Sequence, residues 1–200
     1  MTEPRPVVVV MAGPNGAGKS TLAPALVRDG FQIREFVNAD EIARGLSGFD
    51  PAGVALQAGR LMLRRLRELA ANRESFAFET TLATRSYAPW LQRLTELGYG
   101  VELCFVSLPT FEMAISRVAD RVRLGGHDIP AQTIERRFHA GLRNFFQLYR
   151  PLADRWTVFD NSRIDVLRVV ATGSRGLLDT IPEGKIWDTF RQRYDQPEGS

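Results

Sequence analysis

Two hydrophobic periods alternate along this chain. Pro6–Ala12 is an unbroken run of mainly β-branched residues, as expected of a strand buried on both faces. A helical pattern follows over about Lys19–Asp29, with Pro24 placed to bend or loosen its turn. Glu35–Asn38 reads as a short strand. Pro51–Asn72 reads as a long helix opened by Pro51, with Leu56, Leu63, Leu66 and Leu69 on its expected apolar face. Ser75–Glu79 reads as a strand, Tyr87–Leu97 as a helix ended by Gly98, and Gly100–Ser107 as a strand. Thr110 is placed to cap a helix running to about Leu124, Gly125–Pro130 interrupts it, and a further helix spans about Ala131–Leu148. Trp156–Asp160 is a fifth strand and Asp165–Ala171 a weaker one. A helix through Ile186, Trp187 and Phe190 follows Pro182, and the tail from about 194 to 200 reads as frayed. Strands alternating with helices predict an α/β protein with a parallel sheet of five or six strands flanked by helices. Its 200 residues suit one domain with one core.

Composition narrows the picture. Hydrophobic residues make up 44% and charged residues 24%, ordinary values for a globular protein, and no apolar run is long enough to span a membrane. The sole cysteine, Cys104, lies within an apolar run, so it reads as a buried structural thiol, and a cytoplasmic protein is expected. The net charge of +3 does not require a nucleic acid partner. Lys19 and Lys185 are the only lysines among 26 basic residues, which makes the retained Lys19 informative. A compact ammonium fits a phosphate cradle better than a guanidinium fork does.

The strongest motif is Gly13-Pro14-Asn15-Gly16-Ala17-Gly18-Lys19-Ser20, continued by Thr21, between the first strand and the first helix. Such a P-loop turns backbone N–H groups and a helix N-terminus onto phosphate oxygens, Lys19 would reach the β- and γ-phosphates, and Ser20 would ligate Mg²⁺. ATP and Mg²⁺ are the expected cofactors. The chain lacks Asn-Lys-x-Asp for guanine recognition, and none of its apolar strands ends in paired acidic residues. Both observations weaken the reading as a GTPase or a mechanical ATPase. Asp40 and Glu79 stand at expected strand ends, where a carboxylate can take a proton from an acceptor hydroxyl or hold Mg²⁺ through water. Asp40 also suits an N-cap of the following short helix. Thr81 suits a substrate contact or a turn.

Arg117 and Arg121 share a helix face, Arg123 precedes Gly125-Gly126, and Arg136 and Arg137 follow Pro130. A lid over about 121–137, hinged at the glycines, would bring guanidinium groups onto a transferring phosphoryl group. His127 reads as an exposed loop residue, and Phe159-Asp160-Asn161-Ser162 as a polar turn after a buried strand.

Taken in order, Gly13–Thr21, Asn38-Ala39-Asp40, Glu79-Thr80-Thr81, Arg121–Pro130 and Asp160-Asn161-Ser162 resemble the zeta toxin family of P-loop kinases, which includes UDP-N-acetylglucosamine kinases. The resemblance covers about Val7 to Ser162. It implies a kinase-type sheet with a small helical lid, and phosphoryl transfer from ATP to a sugar-nucleotide hydroxyl. It implies Asp40 as general base and Glu79 with Thr81 as substrate contacts. Arg121, with Arg123 or Arg136, is implied to stabilise the phosphoryl group. For a cell-wall precursor as acceptor it implies an antitoxin partner. Kinases for a nucleoside, a small sugar or a polynucleotide end, and a nucleotide switch without transfer, are the alternatives.

Overall fold

The computed structural model describes residues 5–126, 128–163, 166–175 and 180–195. His127, Asp165 and the tail beyond Asp195 lie outside them. Six strands form one sheet in the order β2-β3-β1-β4-β5-β6: β1 is Val7–Ala12, β2 Glu35–Val37, β3 Phe76–Thr80, β4 Gly100–Ser107, β5 Arg155–Arg163 and β6 Val166–Ser174. β1 to β5 run parallel. β6 returns antiparallel to β5, because the few residues between them cannot carry a parallel crossover. The sheet is therefore mostly, not wholly, parallel, and this is the P-loop kinase-like fold.

The helices are α1 (Lys19–Ala23), α2 (Ala39–Leu46), α3 (Ala55–Ala71), α4 (Tyr87–Glu96), α5 (Phe111–Arg123), α6 (Ala131–Asn144), α7 (Arg150–Leu152) and α8 (Gly184–Tyr194). Pro24 opens a wider π-helical segment, Pro24–Gly30, that continues α1. Lacking an N–H, the proline cannot sustain the α ladder, as expected. A second π segment, Phe145–Tyr149, continues α6.

The core forms around β1, whose Val8–Ala12 are essentially inaccessible, between helices on both faces. One expected face is rotated. α3 buries Ala58, Met62, Leu66 and Leu69, while Leu56 and Leu63 face out. Spacings of four, four and three residues define the inward stripe, and Leu56 and Leu63 lie off it. α8 docks through Trp187, Phe190 and Tyr194, with Trp187 stacked on Trp156 at 5.3 Å. Cys104 is buried in β4, where desolvation pushes its thiol up to about 12. Among the described residues, no helix is long and apolar enough to cross a membrane.

Candidate active site

Register places the chemistry. β3 lies beside β1 with Glu79 opposite Met11 and Thr80 opposite Ala12, so the end of β3 stands next to the start of the P-loop. The loop can turn there only because Gly13 adopts φ +141°. A Cβ on Gly13 would sit 2.2 Å from the Val106 carbonyl oxygen of β4.

The loop closes on itself, with Ala17 N–H donating to the Pro14 carbonyl at 3.2 Å. Lys19 folds back over it. Its Nζ donates to Pro14 O at 3.0 Å and lies 3.5 Å from Glu79 Oε1, with the side chain only 6% exposed. Burial lowers the Lys19 pKa, Glu79 and Asp40 oppose that shift, and Arg121 adds to it. Ser20 Oγ donates to Glu79 Oε2 at 2.7 Å, and Asn38 Nδ2 donates to the same oxygen at 2.9 Å. Glu79, Ser20 and the buried Lys19 thus form one cluster. Its hydroxyl and carboxylate oxygens are the donor type a hard divalent cation prefers, so the residues present fit Mg²⁺.

Asn38 orients the next element. Its Oδ1 accepts the Asp40 N–H at 2.8 Å, so Asn38 rather than Asp40 caps α2. That leaves the Asp40 carboxylate in the first turn of α2, exposed to the cleft.

Two cavities meet there. One, of about 450 Å³, is walled by the P-loop with Lys19, Ser20, Glu79 and Arg117. The other, of about 490 Å³, lies between α2, Pro51 and Ala55 on one side and Leu124–Gly126 with Arg137 on the other. Asp40, Arg44 and Arg121 belong to the walls of both.

The remaining candidates divide. Arg123 turns outward, 77% exposed and paired with Asp120 at 2.7 Å, and Arg136 is exposed and lines neither cavity. Arg137 enters the second cavity, where burial and then Arg136 lower its pKa against the pull of Asp40. Thr81 lines neither cavity, and its hydroxyl lies 3.4 Å from the Ala83 N–H, a contact of the local turn. Arg44 was absent from the sequence candidates. Its signal was a helical phase, one turn after Asp40, and it pairs with Glu41 at 2.9 Å. Asn161 Nδ2 donates to the Ala17 carbonyl at 2.8 Å and Arg117 donates to the Ser162 carbonyl at 3.1 Å, so the end of β5 braces the P-loop and α5. Beneath them Asp160 is buried against Arg168 and Ser162.

A protein-family profile described as an AAA domain matches residues 8–148. The chain belongs to this AAA domain family. The matched span runs from β1 through α6 and includes the P-loop, Asp40, Glu79 and every arginine of the two cavities. An uncharacterized protein of Haemophilus influenzae is 28% identical over 130 residues, covering 65% of this chain and 91% of that one. Among solved structures, that of AvrRxo1-ORF1:-ORF2 with ATP aligns with TM-score 0.72 at 17% identity, over 98% of this chain. This AAA domain chain spans 65% of that longer chain. The PezAT chromosomal toxin–antitoxin system of Streptococcus pneumoniae aligns with TM-score 0.62 at 16% identity, covering 96% of this chain and 87% of that one. At these identities the likeness speaks for the fold.

Proposed function

We propose that the protein is an ATP-dependent kinase that moves the γ-phosphoryl group to a hydroxyl of a small acceptor, a sugar nucleotide such as UDP-N-acetylglucosamine. The observation that carries this reading is the shared wall: Asp40, Arg44 and Arg121 stand between a phosphate-cradling cavity and a second cavity of acceptor size. A switch that only binds nucleotide has no use for a carboxylate and two arginines between two cavities.

In this reading the P-loop and Lys19 hold the β- and γ-phosphates. Ser20, with Glu79 behind it, would hold Mg²⁺, which when bound would neutralise phosphate charge. Asp40 accepts the proton of the acceptor hydroxyl as its oxygen bonds to the γ-phosphorus. The bond from that phosphorus to the β–γ bridging oxygen breaks, and ADP leaves with the electron pair. Arg121 faces the transferring group, where charge spreads over the equatorial oxygens. Arg137 and Arg44 suit an acceptor that is itself anionic, and Arg137 takes the lid role that the family resemblance offered to Arg123 or Arg136. The likeness to a toxin–antitoxin system supports an antitoxin as partner, and the cofactors and single buried thiol suit the cytoplasm.

The test incubates the protein with Mg-ATP and a panel of hydroxyl acceptors led by UDP-N-acetylglucosamine, with phosphorylated product read by mass spectrometry beside Lys19→Ala and Asp40→Ala. Product that disappears in both variants is expected. Product from another acceptor alone would discard the sugar nucleotide and keep the kinase. Tight ATP binding with no transfer to any acceptor would overturn the kinase in favour of the switch.

A further inference from the structure

The segment expected to be a hinge, Gly125-Gly126, is built as a helix cap. Gly125 takes φ +84°, its N–H donates to Val122 O at 2.9 Å, and the Gly126 N–H donates to Arg121 O at 2.9 Å. This paired pattern closes the last turn of α5 and accounts for a left-handed glycine at 125. It gives no reason for glycine at 126, whose φ is not in the left-handed region.

The reason is Arg121. A Cβ on Gly126 would fall 2.6 Å from Arg121 Cγ and 2.8 Å from the Arg121 carbonyl oxygen, whereas a Cβ on Gly125 would meet nothing within 4 Å. The stem of Arg121 therefore occupies the place of the missing side chain. A long arginine stem has many rotamers to lose, and packing against a bare backbone removes several of them. Arg121 leaves this contact to line both cavities, and its charge reaches Lys19.

We propose that Gly126 is a positioning residue: its lack of a side chain holds the Arg121 guanidinium at the boundary between the phosphate and acceptor cavities. The inference rests on the kinase reading for its catalytic consequence but not for its geometry. An alanine at 126 cannot be absorbed by moving the Arg121 tip alone, since one of its close contacts is backbone.

The experiment compares Gly126→Ala with Gly125→Ala, Arg121→Ala and the double variant Gly126→Ala/Arg121→Ala, each checked by thermal melt. Misplacing a catalytic group by about 1 Å costs about 10²-fold. Gly126→Ala should therefore lower kcat about 10²-fold while ATP affinity stays within about threefold, and the double variant should be no worse than Arg121→Ala. Gly125→Ala should lower the melting temperature, since it strains the left-handed cap, without a clash against Arg121. Wild-type kcat in Gly126→Ala, or independent multiplication in the double variant, would overturn the proposal. The arginine Nε–Hε spectrum gives a second readout, with Arg121 assigned by its loss in Arg121→Lys. Its resonance should move in Gly126→Ala and stay in place in Gly125→Ala. An unmoved resonance in Gly126→Ala sinks the positioning claim. If the wild type transfers phosphate to nothing, the kinase reading falls and this spectrum still decides the role of Gly126.

Discussion

On the nucleotide side of the cleft, Lys19 and Asn38 are buried, Glu79 is partly buried, and all three are bonded to their neighbours. On the acceptor side Asp40 and Arg44 face solvent, Leu124 is 89% exposed, and Phe49, in the segment linking α2 to α3, is fully exposed. The nucleotide side is built where the central strands β1 and β3 end beside the P-loop. The acceptor side is assembled from α2, α5, α6 and the segment after α2. A preorganised half spends little on ordering when its ligand arrives, while an open half must be completed by what it binds. Single substitutions should therefore act on different constants on the two sides.

The largest separation is expected from Asp40→Asn. It keeps the shape of α2, whose cap is Asn38, and removes only the carboxylate proposed to accept the proton. Loss of a general base costs about 10²–10⁴-fold in kcat. ATP affinity, measured by calorimetry, should be unchanged. A variant retaining wild-type kcat would remove Asp40 from the chemistry.

Lys19→Ala breaks the comparison from the other side. A hydrogen bond to a charged group contributes about 1.5–3 kcal/mol, so ATP affinity should fall about 10- to 10²-fold. The variant also leaves the partly buried Glu79 carboxylate without its lysine, which should lower the melting temperature. Unchanged nucleotide affinity would count against the cradle. Arg137→Ala should raise the acceptor KM about tenfold and leave the ATP constants alone, consistent with one lost charge-assisted contact. An effect on ATP instead would move Arg137 to the phosphate side.

The same contrast explains what could be read from the sequence. The P-loop was legible because its residues are consecutive and their geometry is local. Glu79 was legible as a strand-end carboxylate, although the structure turns it to Lys19 and Ser20 and leaves Thr81 to the turn. Arg137 and Arg136 differ by one residue, which on a helix is about 100° of rotation, and only packing against the cleft decides which one enters it. The rotated stripe on α3 is the same kind of error, since alternative apolar faces fit one leucine-rich sequence. The direction of β6 does not show in its apolar pattern, which fits either sense of pairing, but in the short connection from β5, which excludes a parallel crossover.

The smallest expected effect lies outside the cleft, where α8 docks on α6, and it tests whether this contact is independent of the site. His139 Nδ1 lies 2.9 Å from the Tyr194 hydroxyl, edge-on to Phe111 and Phe138. Burial lowers its pKa below the ordinary 6.5, Arg193 and Arg143 add to this, and Glu135 and Glu112 oppose it. The folded protein thus favours neutral imidazole, and over the interval below 6.5 the unfolded chain binds the proton first. Stability from this contact is full above that value and is lost as pH falls through it, levelling off once the folded-state pKa is passed. Carboxylates also titrate on the acid side, so the informative quantity is a difference. The melting temperature of the wild type minus that of His139→Phe should shrink between pH 7.5 and pH 5.5 by about 1–2 °C. A constant difference would mean that folding leaves the His139 proton affinity unchanged, and one that grows on acidification that His139 is held by its charge; either would overturn the account of this contact.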